Sequence, residues 1–189
     1  MEIASTPIQG CFVVQPQLFR DDRGLFFESY HAKRFQQATG IQVDFVQDNI
    51  SVSKKGVLRG LHYQKGAAAQ AKLVNVLKGE VLDVVVDLRK DSASFGRYFG
   101  IRLSETNRKS LFVPKDMAHG FLALSEEVIF SYKCDAFYDA TSEGGIIYND
   151  PTINIDWDYP EEDLIISEKD LKLPTFKEVF DDISFGNGL

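Results

Sequence analysis

Short runs rich in Val, Ile, Phe and Tyr, set at close and even spacing between clusters of Gly, Asp, Asn, Lys and Pro, constrain this chain more than any other feature. They cover residues 11–14, 25–30, 43–52, 72–77, 81–88, 97–103, 110–113, 120–124, 127–138 and 145–148. Such spacing predicts an all-β sandwich or barrel. The 15 Phe and 7 Tyr supply most of the aromatic content and favour strands. In Val128-Ile129-Phe130-Ser131-Tyr132-Lys133-Cys134 the alternation puts Phe130, Tyr132 and Cys134 on one face, directing Tyr132 inward. Two segments read as helical. One is Ala32 to Thr39, with Gly40 as C-cap; the other follows residue 160, where Ser167-Glu168-Lys169-Asp170 precedes Leu171 and Pro174. The residues after Phe180 are expected to fray.

A length of 189 residues suits one domain, 1–189, around a single core. The net charge of −7 argues against a broad grip on nucleic acid, which needs a clustered cationic face. No apolar stretch approaches the roughly 20 residues that cross a bilayer, so no membrane partner is expected. Met1 to Ser5 lacks a basic region followed by an apolar run, and the expected location is cytoplasmic. Cys11 and Cys134 show no metal or redox spacing and read as two free buried thiols.

Chemistry concentrates in Gly56-Val57-Leu58-Arg59-Gly60-Leu61-His62-Tyr63-Gln64. Residues i and i+3 of an extended strand face opposite ways, and Gly60 supplies a kink that can redirect Arg59 and His62. Arg59 can hold a phosphate; His62, with an ordinary imidazole pKa of about 6.5, can move a proton. A carboxylate on its other nitrogen would fix the tautomer. Asp83, Asp87 and Asp170 are the available partners, and spacing does not choose among them. Asp83 and Asp87 also fit turn or surface groups, and Asp170 fits a helix cap. Lys72 opens the next strand-like run, and a β-rich frame holding a few ionisable residues reads as a barrel with a site inside.

The histidines are His31, His62 and His119. A metal centre built on such strands takes three imidazoles and a carboxylate, two of the histidines standing one residue apart. Gln64 occupies that partner position, so no metal is predicted. Arg23, in the turn Asp21-Asp22-Arg23-Gly24, and the polar run Gln47-Asp48-Asn49-Ile50-Ser51 are accounted for by turn geometry unless they meet a ligand.

A set of motifs in fixed order ties these residues together: Asp22-Arg23-Gly24-Leu25-Phe26-Phe27-Glu28, Gln47 to Ser51, Gly56 to Gln64, Ala71-Lys72-Leu73-Val74, Asp83 to Arg89, Ala118-His119-Gly120-Phe121, Tyr132-Lys133, Tyr138 with Glu143, Asp150-Pro151 and Ser167 to Asp170. In these, over essentially its whole length, the chain resembles the dTDP-4-dehydrorhamnose 3,5-epimerases. The resemblance implies an all-β cupin jelly-roll barrel with a few short peripheral helices, needing neither metal nor cofactor. It implies an isomerase acting on a dTDP-4-keto-6-deoxyhexose, with His62 as proton acceptor paired with Asp170, and Tyr132 as proton donor. Arg23, Glu28, Gln47, Asp48, Asn49, Arg59, Lys72, His119, Glu143 and Lys169 would bind the substrate, with Tyr138 stacking on the thymine. A homodimer is implied, with N-terminal strands exchanged so that Arg23 and Glu28 reach the partner's site. The family also includes enzymes that invert C3 only. Asp116 stands where the family commonly has glycine, and its tolerance of left-handed backbone should preserve the turn. Two readings compete: a metal-dependent barrel enzyme, opposed by Gln64, and a barrel that binds a nucleotide sugar without moving a proton.

Overall fold

The computed structural model describes residues 1–180; the residues after Phe180, expected to fray, lie outside the described residues. In chain order the strands are β1 (Glu2–Ser5), β2 (Phe12–Gln15), β3 (Phe19–Asp21), β4 (Gly24–Phe26), β5 (Gln47–Lys54), β6 (Val57–Gln64), β7 (Lys72–Lys78), β8 (Glu80–Asp87), β9 (Tyr98–Ser104), β10 (Ser110–Val113), β11 (Met117–Ala123), β12 (Glu127–Cys134), β13 (Glu143–Gly145) and β14 (Ile165–Ile166). Helices α1 (Ala32–Thr39) and α2 (Phe176–Val179) complete the set, with a few single 3-10 turns.

The strands form two layers. One sheet runs β1-β2-β10-β7-β12-β5, the other β13-β6-β11-β8-β9 with β14 also on β6, and β3-β4 form a separate hairpin. The expected cupin jelly-roll barrel is therefore corrected: the sheets are neither closed nor curled into a barrel. Closure requires the terminal strands of the ladder to pair. Here one layer ends at β1 and β5, the other at β9 and the short β13 and β14, and among the described residues no ladder joins the layers. Strand spacing could not reveal this, because sandwiches and barrels share the same alternation.

The core between the layers draws Val74, Val76, Leu111, Val128 and Phe130 from the first sheet and Val81, Val85, Leu103 and Phe121 from the second. The second sheet is covered outside as well. Leu58, Leu61, Val84, Val86 and Leu122 pack there against Ile146, Tyr148, Ile153, Trp157 and Phe176 of the C-terminal segment. Burial on both sides explains why Val84-Val85-Val86 is continuously apolar rather than alternating. Helix α1 covers part of the first sheet's outer face by setting Phe35 against Phe12, Leu73 and Phe112. It spans the expected residues, and the left-handed Gly40 (φ 75°) closes it by donating its N–H to Gln36. The segment after 160 is less helical than expected. It forms 3-10 turns at Glu161–Asp163 and Asp170–Lys172, and the short helix α2 is started by a Thr175–Glu178 capping box.

The outer edge of β6 is shared by two short strands. Parallel β14 covers its first residues and antiparallel β13 its last. Between them the Gly60 N–H would lack a strand partner, and the Asp170 carboxylate accepts it instead at 3.2 Å. Opposite this gap, β6 and β11 approach so closely that a Cβ on Gly60 (φ 127°) would stand 2.6 Å from the Gly120 Cα.

Candidate active site

Between the layers lies a cavity of about 760 Å³, walled by β5, β7 and β12 on one side, by β6 and β11 on the other, and by the segments around Tyr138, Glu143 and Ile165 to Asp170. His62 and His119 sit directly opposite one another on β6 and β11, next to a shift in their register. Each imidazole takes its own carboxylate. His62 Nε2 lies 2.7 Å from Asp170 Oδ1, and His119 Nε2 lies 2.9 Å from Asp83 Oδ2. Asp170 is held in turn by its N–H donating to Ser167 Oγ and by accepting from Gly60. The His119 ring is stacked near Phe130, which stacks on Phe121.

Three carboxylates open in the sequence thus find separate homes. Asp170 serves His62 and caps no helix, Asp83 serves His119, and Asp87 binds Arg89, Ser92 and Ser94. Asp83 and Asp87 are fully buried, which overturns their reading as surface groups, whereas Asp87 does serve a turn, accepting the Arg89 N–H two residues on. Among the described residues no three His, Cys, Asp or Glu side chains converge to hold a metal ion, and the Gln64 carboxamide oxygen accepts the Asp139 N–H.

Across the cavity, on the first sheet, stand Tyr132 and Lys72. Burial pushes the Tyr132 hydroxyl up from its ordinary value, Cys134 adds to this and Arg59 opposes it, so the phenol keeps its proton at neutral pH. Burial pushes the Lys72 ammonium down, opposed by Cys134, Asp83 and Glu143. Its Nζ lies 6.0 Å from the centre of the Tyr132 ring. Arg59 braces its guanidinium on Ser53 Oγ at 3.1 Å. At the mouth, Glu143 Oε2 accepts from Lys169 Nζ at 2.6 Å and from the Tyr138 hydroxyl at 3.0 Å. The Lys169 contact holds Glu143 below its ordinary value, although burial opposes it. Gln47 accepts the Tyr138 N–H and donates to Asn49.

Of the residues named from the sequence, His62, Tyr132, Asp170, Gln47, Asn49, Arg59, Lys72, His119, Tyr138, Glu143 and Lys169 all line this one cavity. Three do not. Asp48 points to the other face of β5 and pairs with Lys133 at 2.8 Å. Arg23 pairs with Asp21 on the β3-β4 hairpin, and Glu28 pairs with Arg34. Ser51 was named only as part of the polar run and not as a binding residue: it lines the cavity two residues after Asn49, and its buried hydroxyl has no hydrogen-bond partner among the described residues. The alternation Gln47, Asn49, Ser51 was the signal that could have found it, and the same alternation excludes Asp48. Asp116 adopts the left-handed backbone (φ 61°) expected of it, so the turn into β11 is kept.

A profile of the dTDP-4-dehydrorhamnose 3,5-epimerase family matches residues 5–178. The dTDP-4-dehydrorhamnose 3,5-epimerase of Methanothermobacter thermautotrophicus is 47% identical over 174 residues, which cover 92% of this chain and 93% of that protein. The crystal structure of dTDP-4-dehydrorhamnose 3,5-epimerase from Elizabethkingia anophelis NUHP1 superposes with a TM-score of 0.92 at 52% identity, covering 94% of this chain and 97% of that one. The dTDP-6-deoxy-D-glucose-3,5-epimerase of Legionella pneumophila Philadelphia 1, solved in complex with dTDP-4-keto-L-rhamnose, superposes with a TM-score of 0.91 at 44% identity, covering 96% and 95%. A profile match over nearly the whole length, joined to relatives close to half identical, establishes that this chain belongs to the dTDP-4-dehydrorhamnose 3,5-epimerase family.

Proposed function

We propose that His62 removes the ring protons and Tyr132 returns them in the 3,5-epimerisation of a dTDP-4-keto-6-deoxyhexose, the isomerase activity of this family. The observation that carries the division of labour is the placement of the His62–Asp170 pair on one sheet and of Tyr132 on the facing sheet, with the cavity between them. The hydrogens at C3 and C5 flank the C4 ketone, so removing either leaves an enolate whose charge falls on the C4 oxygen. Lys72 is the cation available to that oxygen. His62 takes the proton from one face, and the protonated Tyr132 supplies one to the other, which inverts the centre. Exchange with solvent returns both groups to their starting states before the second centre is treated.

Binding follows the distribution of polar groups. Arg59 suits the diphosphate, anchoring the ring so that remote binding energy serves orientation. Tyr138, Glu143 and Lys169 at the mouth suit the nucleoside end, and Gln47, Asn49, Ser51 and His119 suit the sugar.

Heavy water tests the assignment. Wild-type enzyme should place deuterium at C3 and C5 of the keto-sugar. His62→Asn should lower that exchange roughly 100- to 10,000-fold while dTDP affinity changes little. Tyr132→Phe should retain wash-in but lose inversion at C5. Lost dTDP binding with normal turnover in His62→Asn would overturn its role as base. Label at C3 alone in the wild type would make the chain a 3-epimerase, and label at neither centre a binding protein.

We propose further that the protein is a homodimer in which the β3-β4 hairpin reaches the partner's cavity. Among the described residues the hairpin strands pair only with each other, and they expose Phe19 (50%) and Phe26 (66%) on the hairpin that carries Arg23. These apolar rings would be covered, and Arg23 and Glu28 given a substrate to hold, on a second copy.

A further inference from the structure

Beyond β12 the chain runs through an irregular stretch, residues 135–139, that carries Tyr138 at the mouth of the cavity and belongs to no strand. Backbone groups outside a ladder need other partners, and here three glutamine side chains supply them. Gln64 Oε1 on β6 accepts the Asp139 N–H at 2.9 Å, and Gln47 Oε1 on β5 accepts the Tyr138 N–H at 2.9 Å. Gln70 Nε2, in the connection from β6 to β7, donates to the Ala136 carbonyl at 2.8 Å. The two facing sheets thereby grip adjacent residues of one stretch, and all these glutamines line the cavity. The start of the stretch is fixed as well: the Asp135 N–H donates to the Ala71 carbonyl at 3.1 Å, and the Ala71 N–H to Asp135 Oδ1 at 2.7 Å. The Tyr138 ring stays half exposed, with its hydroxyl on Glu143. Gln64 is 5% exposed and belongs to neither His–Asp pair.

We propose that Gln64 is a positioning residue for nucleotide binding: with Gln47 and Gln70 it fixes the backbone that carries Tyr138, so that the ring meets the nucleoside already in place. A half-exposed ring on an unheld stretch would lose conformational entropy at every binding event, and bonds formed on folding remove that loss from the affinity. Gln64 makes its contribution through the carboxamide oxygen on Asp139 and acts on the ligand only through Tyr138. The inference rests on reading Tyr138 as the contact to the nucleoside end of the substrate.

The test is Gln64→Met, which keeps the length of the side chain and loses the acceptor, with dTDP and inorganic pyrophosphate as probes in titration calorimetry. The Kd for dTDP and the KM of the keto-sugar nucleotide should rise about tenfold, with kcat within about threefold, because the reacting groups are left as they are. Affinity for pyrophosphate, which has no nucleoside, should stay within about twofold of the wild type. In a Tyr138→Ala background, Gln64→Met should change the dTDP Kd by less than about twofold, since a residue that acts through another adds nothing once that one is gone. An unchanged dTDP Kd in Gln64→Met, a parallel loss of pyrophosphate binding, or an equal loss with and without Tyr138 would each overturn the proposal. Should Gln64→Met not fold, Gln70→Met removes the neighbouring bond of the same stretch and carries the same cycle, with the same results expected and excluded. Tyr138→Ala that leaves the dTDP Kd unmoved refutes the reading of Tyr138 as the nucleoside contact; a weakened Tyr138→Ala with an unmoved Gln64→Met refutes only the role of Gln64.

Discussion

The carboxylate of Asp170 bonds His62 and also closes the gap in the sheet at Gly60, so its removal should be felt in catalysis and in folding together. Asp170→Ala should slow proton abstraction roughly 100-fold or more and lower stability by about 1–3 kcal/mol through the stranded Gly60 N–H. Asp170→Asn keeps an acceptor for that N–H and should lose activity with a smaller loss of stability. Single-turnover exchange and urea unfolding of the two variants separate the effects. At this scale the residues by themselves were legible for side chains and silent about partners. His62 and Arg59 could be named because their chemistry is intrinsic, whereas the role of Tyr132 and the pairing of His62 with Asp170 came only with the family resemblance. Which of Asp83, Asp87 or Asp170 meets His62 depends on a contact 108 residues distant along the chain, which only the strand order decides. Asp48 lies outside the cavity for a simpler reason: its neighbours Gln47 and Asn49 face the cavity, so the pleat turns it away.

Strands β6 and β11 meet where neither carries a side chain, Gly60 against Gly120. Gly60→Ala would force a Cβ to within 2.6 Å of the Gly120 Cα at a backbone angle that L-residues rarely adopt. A cost of about 1–3 kcal/mol is expected, checked by the denaturation midpoint, together with reduced activity because both site histidines flank the contact. At the end of β8, burial alone would raise the Asp87 carboxyl, but hydrogen bonds from Arg89, Ser92 and Ser94 outweigh it and hold the pKa at about 2. A depressed carboxyl stabilises the fold above its unfolded value, here 3.8, and loses that contribution as pH falls toward 2. Asp87→Asn should therefore lower Tm at neutral pH, and its Tm should converge on the wild type as the pH drops from about 4 to 2. Strands with an apolar pattern, such as β7, β10 and β12, stand close to where the sequence puts them. β1, β3 and β14 were not anticipated, being four residues or fewer and mostly exposed, so no buried face marks them. The barrel failed as an expectation because closure depends on which edges pair, and alternation carries no record of that.

On the scale of the whole molecule, the proposed exchange of the β3-β4 hairpin makes each cavity depend on two chains. Arg23→Ala and His62→Asn, each inactive alone, should on co-expression restore about a quarter of wild-type activity, because half of the dimers would be mixed and each would hold one intact site. No restoration would show that Arg23 serves its own chain or none. Strand β5 keeps its two faces apart. Gln47, Asn49 and Ser51 face the cavity, while Asp48, Ile50 and Val52 are exposed on the opposite side. Such a strand is a two-channel tape, in which odd positions are read by the cavity and even positions by the outer surface. Mutation can edit one channel while leaving the other intact, so the lining of the cavity and the outer surface can change independently within eight consecutive codons.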